Sequence, residues 1–435
     1  DGVAGMALWA FSQLDDLSLA WQLADCAQGA SSLSLGALLG ACERRSMVDG
    51  ELTLWRRLAR GGLSSVAATA EVLRLMDAGR LDEACRVLKR LEAEGLSNPA
   101  SQVLWRACGS GGQLAAFQMK PPHRQDPHDK ELRLLAYVLT HAKAGDARSV
   151  CTAIEEFGRD VLMPAGQWLK VAGDEKAAVL ADALGQAVPL TSEEGLSYRV
   201  LEVGTYCGFS AISFVISRPR CQVVSIEAEP ARVAIARSVV AFAGVSHLVE
   251  VCTGHSQDVL PWLAAKADAR AGSLAKPGFN AVFLDQCGGR FGSDLRVLEA
   301  SGLLAPGAVV VADNVLKPGA PAYLWHVVYG GSYETEIVSV EEFAMPGTED
   351  WMSVSRYWPV TRDAQAAPPK PPSVVRRLEW EADRMRMRAQ DSVSGPGVSF
   401  ADWAAFSERM RASLAELGIS PRPPIADRAV PATRE

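Results

Sequence analysis

Acidic residues follow apolar runs at four places in the central part of the chain. Each run is rich in Val, Leu, Ile and Phe, which is the composition of a buried parallel strand. In an open α/β sheet, ligands bind in the crevice outside the carboxyl ends of the strands. One such acid is an ordinary strand cap or surface residue, but four of them at strand ends predict a ligand site. The four acids are Glu202, Glu227, Asp285 and Asp313.

The first of these runs leads into a loop with two glycines, Gly204 and Gly208, within residues 202–210. Glycines let a backbone approach a ligand closely, and the N–H groups of a following helix attract it. The spacing is GxxxG, not the GxGxxG of the dinucleotide fold, and a P-loop lysine is missing. Glu227 lies 23 residues after Gly204, where a carboxylate commonly grips ribose hydroxyls. The loop therefore predicts a site for a nucleoside without a triphosphate.

Alternating helical and β-branched patterns surround these acids. They predict an α/β fold with a doubly wound, Rossmann-like parallel sheet that helices cover on both faces. The N-terminal part is rich in Ala, Leu and Arg without a convincing strand, so we predict a separate all-α region there. The predicted strands are residues 198–203, 222–227, 248–252, 279–285 and 307–312.

Proline-rich breaks divide the chain into parts. The predicted order is a helical-repeat region at 1–115, a linker at 116–127, an α/β domain at 128–360, and a Pro-rich linker with a charged helical tail at 361–435. Within the tail, the patterns predict a mainly solvated helix over residues 374–390 and a second helix over residues 400–417.

The N-terminal region carries a weak internal repeat. The pattern at residues 54–63 recurs 33 residues later, a period typical of a helix-pair solenoid. Residues 72–96 resemble a pentatricopeptide repeat, in which Gly79 would end the first helix and two acids would begin the second. Long arrays of such repeats bind single-stranded RNA. Because this region holds only about three units, we favour a helical scaffold or protein-binding role and keep an RNA partner as the alternative.

The composition is that of a globular protein with more than one domain. The chain has 435 residues, of which 48% are hydrophobic and 22% charged. A net charge of −7 argues against a nucleic-acid binder that relies on bulk positive charge. Nine cysteines without a CxxC pair predict free thiols in a reducing, cytoplasmic compartment. The chain begins at Asp1 rather than Met, so an organelle stays an alternative. No apolar run has the length of a membrane span.

Ordered blocks between residues 130 and 357 resemble the catechol O-methyltransferase family. The sharpest block is Leu-Glu-Val-Gly-Thr-Tyr-Cys-Gly-Phe-Ser-Ala at residues 201–211. Further blocks lie at residues 130–133, 141–147, 173–176, 254–258, 282–285 and 312–319. The resemblance implies a class I methyltransferase fold and S-adenosylmethionine-dependent, Mg²⁺-dependent methylation of one hydroxyl of a catecholamine-like small molecule.

The resemblance also implies roles for individual residues. S-adenosylmethionine would be bound by Glu202, Gly204, Tyr206, Ser210, Glu227, Ser256, Gln257, Asp285 and Gln286, with Glu227 on the ribose and Ser256 and Gln257 on the adenine. Mg²⁺ would be held by Asp285, Asp313 and Asn314. Glu342, or alternatively Glu341, would accept a hydrogen bond from a substrate hydroxyl, and Trp168 and Pro318 would form pocket walls. Two carboxylates and an amide oxygen suit a hard cation that lowers the pKa of a phenol from about 10.

The chain departs from the family where the general base is expected. The family has a Lys three residues after the first metal-binding Asp, but Gly288 stands there, and Cys287 replaces a Trp that covers the catechol ring. Lys317 and Lys170 are candidate substitutes, whereas Arg290 stays charged and is a poor base. Two alternatives remain open. One is methylation of another vicinal-dihydroxy aromatic, and the other is a helical-repeat RNA- or protein-binding protein with a decayed methyltransferase domain.

Overall fold

A computed structural model describes most of the chain. The described residues are 2–14, 16–26, 32–59, 64–93, 128–187, 190–192, 195–271, 278–345, 347–359, 369–390 and 398–421. The predicted linker at residues 116–127 and the start of the tail at residues 361–368 lie outside these ranges, and so does the end of the predicted repeat region. The domain boundaries proposed at these positions therefore stay predictions.

The described ranges contain sixteen α-helices and eight strands. The helices are α1 (Gly2–Ser12), α2 (Ser18–Cys26), α3 (Ser32–Arg44), α4 (Val48–Leu58), α5 (Ser64–Asp77), α6 (Leu81–Ala93), α7 (Asp129–His141), α8 (Ala147–Glu156), α9 (Asp174–Gln186), α10 (Phe209–Ser217), α11 (Pro230–Phe242), α12 (Ser256–Ala271), α13 (Phe291–Ala300), α14 (Pro321–Tyr329), α15 (Ser373–Gln390) and α16 (Phe400–Glu416). The strands are β1 (Leu190–Ser192), β2 (Gly195–Val203), β3 (Cys221–Glu227), β4 (Val249–Thr253), β5 (Phe279–Leu284), β6 (Leu304–Ala312), β7 (Tyr333–Glu341) and β8 (Glu349–Tyr357). Within these ranges, none of the helices combines the length and the apolar character needed to cross a membrane.

Successive N-terminal helices pack side by side in the first of two compact units, which consists of residues 1–171 and 204–263. Apolar residues on α4, α5 and α6 form a shared core, in which Leu52, Leu75 and Leu88 are almost fully buried. Gly79 follows α5 with a φ of +71°, and α6 begins with two acids in its first turn, as expected. The all-α character is confirmed, whereas the identification with pentatricopeptide repeats and an RNA or protein partner stay predictions.

Two parallel strands, β3 and β4, belong to the same unit. Their pairing runs from Val223 opposite Val249 to Glu227 opposite Thr253. Helix α10 packs on β3, and α11 packs on both strands. The register therefore places the last residues of the two strands, Glu227 and Thr253, side by side at one edge.

The second unit, residues 172–203 and 264–435, contains the other six strands. They lie in the order β2-β5-β6-β8-β7, and β1 pairs antiparallel with β2. Strands β2, β5 and β6 are parallel, whereas β8 and β7 run antiparallel. Every residue of β5 is buried, as expected of a strand covered on both faces.

The predicted α/β fold with an N-terminal all-α region is confirmed. The five predicted strands coincide with β2 to β6, and their ends differ by three residues at most. The antiparallel pair β7 and β8 is not predicted, so the sheet is mixed rather than parallel throughout. The sequence of β7 does not predict a strand, because it carries glutamates at positions 334, 336 and 341 and lacks the apolar run of a buried strand.

The two tail helices are confirmed as α15 and α16, but the expectation that the first is mainly solvated is wrong. Val375, Leu378, Ala382 and Met385 recur at helical spacing on α15 and are buried within the second unit. Trp380, on the same helix, is 58% exposed. The charged composition of the helix conceals a narrow apolar stripe, which packs on α14 and on residues 315–319.

We expect Leu378→Ala to lower the free energy of unfolding by about 2–5 kcal/mol, because the substitution leaves a cavity under α15. Met387→Ala on the same helix is the control, since Met387 is 63% exposed. It should change stability by less than about 0.5 kcal/mol. Urea unfolding followed by circular dichroism measures both. Equal effects would show that α15 is not docked through this stripe.

Candidate functional site

The loop after residue 203 opens the candidate nucleoside site of the first unit. Gly204 and Gly208 have φ of +108° and +87°, a region that favours glycine, and Tyr206 between them has φ of +52°. The N–H of Gly204 donates to the carbonyl oxygen of Ile226 at 2.9 Å, which ties the loop to β3. Helix α10 begins directly after Gly208, and Ser210 is buried in its first turn.

Glu227 closes β3, and its carboxylate is tied to the glycine loop. Its Oε2 accepts the N–H of Tyr206 at 3.0 Å, and its Oε1 accepts the N–H of Glu229 at 2.9 Å. Burial raises the pKa of Glu227, although the charge of Arg232 and the two N–H groups oppose the shift. Each oxygen keeps a lone pair for a further donor, which fits the predicted grip on two ribose hydroxyls.

Tyr206 is held in place by helix α7. Its hydroxyl donates to Oε1 of Glu131 at 2.9 Å, and the cationic groups of Lys130 and Arg232 lie 5.9 and 5.5 Å from the ring centroid. Burial, and then the charge of Glu131, raise the pKa of Tyr206, so the phenol is a neutral donor. The predicted cofactor residue is thus rigid, with its hydroxyl already engaged.

The candidate adenine residues begin α12. Gly254, with φ of +139°, follows β4 and donates its N–H to the carbonyl oxygen of Glu227 at 2.8 Å. Ser256 is 2% exposed, and its hydroxyl lacks a hydrogen-bond partner within the described part of the chain. Gln257 is exposed. A buried hydroxyl without a partner is costly, so Ser256 fits a position completed by a polar ligand.

Two further predicted residues of the first unit, Trp168 and Lys170, have exposed side chains. The carbonyl oxygen of Trp168 accepts a hydrogen bond from Nζ of Lys130 at 3.2 Å. The roles predicted for Trp168 as a pocket wall and for Lys170 as a base stay predictions.

The second unit brings together three of the four strand-end acids. Asp285 and Asp313 follow β5 and β6, whose last residues pair as Leu284 opposite Ala312. The N–H of Asp313 donates to the carbonyl oxygen of Leu284 at 3.0 Å. Glu202 is fully buried on the neighbouring β2 and acts electrostatically on Asp285. Glu227, the fourth acid, belongs to the first unit.

Asn314 and Glu342 join this group, as the resemblance predicts. The Asn314 amide nitrogen lies 3.3 Å from Oε1 of Glu342 and 2.7 Å from Oδ2 of Asp350. Because the nitrogen donates to these carboxylates, the amide oxygen is left as an acceptor or metal ligand. Glu341, the alternative to Glu342, instead accepts the N–H of Gly347 at 3.1 Å.

A buried lysine, which the sequence analysis does not single out, lies among the acids. Nζ of Lys176, on α9, is 2.9 Å from Oδ1 of Asp313, 3.0 Å from Oε2 of Glu342 and 3.8 Å from Oδ2 of Asp350. Burial opposes its charge, but the three carboxylates outweigh burial and hold the pKa of Lys176 well above its usual value. Lys176 is therefore an ammonium ion, and we refer to it with Asp285, Asp313, Glu342 and Asp350 as the acidic cluster.

The acidic cluster sets four carboxyl groups around one ammonium ion. Burial, and then the charge of Asp313, raise the pKa of Asp285 well above its usual range, and burial raises those of Asp313 and Asp350. Burial also acts on Glu342, but Lys176 holds its pKa below the usual value. A second cation would stabilise the ionised form of this set. The described ranges contain no group of three or more His, Cys, Asp or Glu side chains that could hold a metal ion. The predicted ligand set has only two such residues, with Asn314 as the third.

Gly288, at the position of the family's lysine, leaves no room for a side chain. A Cβ atom there would lie 2.9 Å from the carbonyl oxygen of Gly319 and 2.9 Å from Nη2 of Arg386. Arg386 reaches this position from α15 and donates to the Gly319 carbonyl. Gln286, predicted near the adenine, donates its amide N–H to Asp294 on α13. The tail helix thus fills the space that a lysine would need.

Lys317, a candidate base, is tied to β8. Its N–H donates to Oδ1 of Asp350 at 3.0 Å, and its Nζ donates to the carbonyl oxygen of Glu349 at 3.3 Å. These bonds give Lys317 a structural role beside Pro318, the predicted pocket wall. Its role as a base stays a prediction.

Three residues of the site are not assigned a role from the sequence: Lys176, Asp350 and Arg386. Lys176 and Asp313 are separated by 137 residues, so no local pattern links them. The signal available for Lys176 is the block at residues 173–176, which matches the family but suggests no partner.

We expect Lys176→Met to lower the free energy of unfolding by about 3–5 kcal/mol near neutral pH, because it leaves buried carboxylates uncompensated. Without the ammonium ion the folded-state pKa values of these acids lie above their unfolded values, so the loss should shrink as the pH falls. Urea unfolding in the presence of a chelator at about pH 7.5 and about pH 5 tests this. The exposed Lys143→Met is the control. A loss that does not depend on pH would contradict charge compensation.

Comparisons with known proteins identify the family of the chain. A family model described as O-methyltransferase matches residues 190–322. The chain is similar to catechol O-methyltransferase of Bos taurus, with 35% identity over 206 residues that cover 47% of this chain and 68% of the relative. It is also similar to catechol O-methyltransferase of Sus scrofa, with 38% identity over 161 residues that cover 37% of this chain and 83% of the relative.

Among solved structures, the chain resembles the O-methyltransferase TomG from Streptomyces achromogenes in complex with SAM. The identity is 22%, the TM-score is 0.38, and the alignment covers 56% of this chain and all of that one. The sequence relatives carry the assignment, since more than two thirds of each is matched at above 30% identity. The chain is therefore a methyltransferase that belongs to the catechol O-methyltransferase family.

Proposed function

We propose that this protein transfers a methyl group from S-adenosylmethionine to one hydroxyl of a catechol, with Mg²⁺ as the metal. The observation that supports the proposal is that Asp285 and Asp313 follow the neighbouring strands β5 and β6, and that Asn314, next to Asp313, contacts Glu342. Oxygen ligands of this kind suit a hard cation, and two adjacent hydroxyls can chelate such a cation.

The first unit would bind the methyl donor. The Glu227 carboxylate, fixed by two backbone N–H groups, would accept hydrogen bonds from the ribose hydroxyls. The buried hydroxyl of Ser256 would gain the partner that it lacks among the described residues. S-adenosylmethionine supplies an electrophilic methyl group on a sulfonium. The contributions of Gly204, Tyr206, Ser210 and Gln257 to this binding are part of the same proposal. The cofactor contacts of Glu202, Asp285 and Gln286, which belong to the second unit, stay predictions.

The acidic cluster would hold the metal and orient the substrate. Asp285, Asp313 and Asn314 would be the ligands, because carboxylate and amide oxygens suit a hard divalent cation. Such a cation, when bound, lowers the pKa of a coordinated phenol. Glu342 is ionised because Lys176 lies 3.0 Å away, so it is an acceptor for a substrate hydroxyl rather than an acid.

The proton of the hydroxyl needs a route that does not use a lysine at position 288. Lys176 is unsuited as a base because its pKa is raised well above its usual value. Lys317 and Lys170 remain candidates, and bulk water is the third. We therefore expect a rate that rises with pH toward the metal-shifted pKa of the substrate.

A second candidate function is methylation of another vicinal-dihydroxy aromatic compound. Cys287 is exposed and Gly288 has no side chain, whereas the family has a Trp and a Lys at these positions. A changed pocket wall alters which aromatic ring fits, but not the chelation of a metal by two adjacent oxygens.

The eight cysteines of the described ranges are free thiols, which supports a reducing compartment such as the cytoplasm.

Glu227→Ala should weaken S-adenosylmethionine binding by at least about tenfold, because it removes charge-assisted hydrogen bonds to the ribose. Isothermal titration calorimetry measures the dissociation constant. Glu250→Ala is the control, since Glu250 is exposed on the neighbouring strand β4. An unchanged dissociation constant for Glu227→Ala would reject its assignment to the ribose.

Chelation by EDTA should abolish catechol methylation, and added Mg²⁺ should restore it. Asp313→Asn should lower kcat by at least about a hundredfold, because catalysis loses a charged ligand of the metal. The dissociation constant for S-adenosylmethionine should stay unchanged. Glu334→Gln, at an exposed position of β7, is the control. Full activity in EDTA would rule out the metal-dependent mechanism, whichever catechol is used.

A further inference from the structure

Helix α3 is buried on every side, unlike an ordinary surface helix. All of its residues from Ser34 to Cys42 are buried, whereas a surface helix buries only one stripe. On one side α3 packs against α1 and α4. On the other it packs against α11 and β4 of the same unit, next to the loops that follow β3 and β4.

Two glycines on α3 allow this close approach. Gly36 and Gly40 are four residues apart and therefore lie on the same face. A Cβ atom on Gly36 would lie 2.9 Å from Cγ of Pro230 and 3.0 Å from the carbonyl oxygen of Ala228. A Cβ atom on Gly40 would overlap the carbonyl oxygen of Thr253. The backbone of α3 thus lies directly against the backbone of both loops.

Glu43, at the end of the same helix, ties α3 to β4 through polar contacts. Its carboxylate accepts the hydroxyl of Thr253 at 2.9 Å and the N–H of Thr253 at 3.3 Å. It also pairs with Nη1 and Nη2 of Arg237, both at 3.1 Å. Arg237 in turn donates to the carbonyl oxygen of Val251 at 2.8 Å. A charged, bidentate pair of this kind fixes geometry more strictly than apolar packing does.

The loops that α3 supports are those assigned to the adenosine part of the methyl donor. Ala228 directly follows Glu227, the candidate ribose ligand, and Thr253 lies three residues before Ser256. The Ser256 hydroxyl is buried and lacks a partner in the described part of the chain, which points to a ligand at this position. A further contact comes from α1, where Nε1 of Trp9 donates to Oδ2 of Asp258 at 3.0 Å.

We propose that α3 is a positioning element of the cofactor site, which sets the affinity for the adenosine part of S-adenosylmethionine. The inference rests on the proposed function of the first unit. Neither Gly40 nor Glu43 is assigned a contact with the ligand; they hold the loops of Glu227 and Ser256 in the conformation that binds. Loops held in their bound conformation lose less entropy on binding, which raises the affinity.

The test compares two substitutions that disturb α3 on opposite sides. Gly40→Ala displaces the helix from Thr253, whereas Gly50→Ala places a Cβ 3.2 Å from Cys42 and Trp21, within the helical region and away from the loops. Calorimetric titration of S-adenosylmethionine should show a dissociation constant raised about five- to fiftyfold for Gly40→Ala and less than about twofold for Gly50→Ala. Thermal denaturation of both variants reports any general loss of stability.

Glu43→Gln is the second variant, in case Gly40→Ala fails to fold. It keeps the size of the side chain but removes the charge that holds Arg237, and it should raise the same dissociation constant about three- to tenfold. The KM for S-adenosylmethionine should rise in parallel, with the KM for the catechol unchanged. Wild-type affinity in both Gly40→Ala and Glu43→Gln, or an equal loss in Gly50→Ala, would overturn the inference and leave the proposed function standing. Failure of the wild-type protein to bind S-adenosylmethionine would overturn both.

Discussion

The burial of several carboxylates around one ammonium ion is the constraint on which the second unit depends. A metal site needs oxygen anions at the ends of neighbouring strands, but carboxylates removed from water repel one another and lose hydration. Lys176 offsets this cost by contacting Asp313 and Glu342 within 3.0 Å. Burial, and then the charge of Asp313, raise the pKa of Asp285, and a divalent cation would stabilise the ionised form of this carboxyl group. Burial of these carboxylates disfavours folding, whereas their ionised form favours cation binding. Lys176 reduces the cost of burial while leaving the acids in place.

Much of the fold and part of the site follow from local sequence patterns. Buried parallel strands are apolar throughout, so β2 to β6 stand out, and an acid directly after such a strand is placed by the strand itself. Asp285 and Asp313 are predicted for this reason. Lys176 and Asp350 are not, because their contacts join elements far apart in the chain and leave no periodic trace. Strand β7 is missed because an antiparallel strand with one polar face lacks the apolar run.

The C-terminal tail packs against the position at which the chain departs from the family pattern. Gly288 looks like a simple loss of a catalytic side chain. In the structure, however, the space beside it is occupied by Arg386, which donates to the carbonyl of Gly319. The loop at position 288 and the helix that carries Arg386 therefore pack directly against each other. The composition of α15 could not reveal this, because its many charges mask the four apolar residues that dock it.

The pairing of Glu43 with Arg237 spans 194 residues of sequence, and its contact with Thr253 spans 210. During synthesis, α3 is therefore complete long before the surfaces that bury its second face exist. Until then a helix apolar on all sides is exposed, and such surface promotes aggregation of a nascent chain. Closing a loop of this length is also entropically costly and slows folding. The close approach that Gly36 and Gly40 permit can therefore form only after the chain has been synthesised through Thr253.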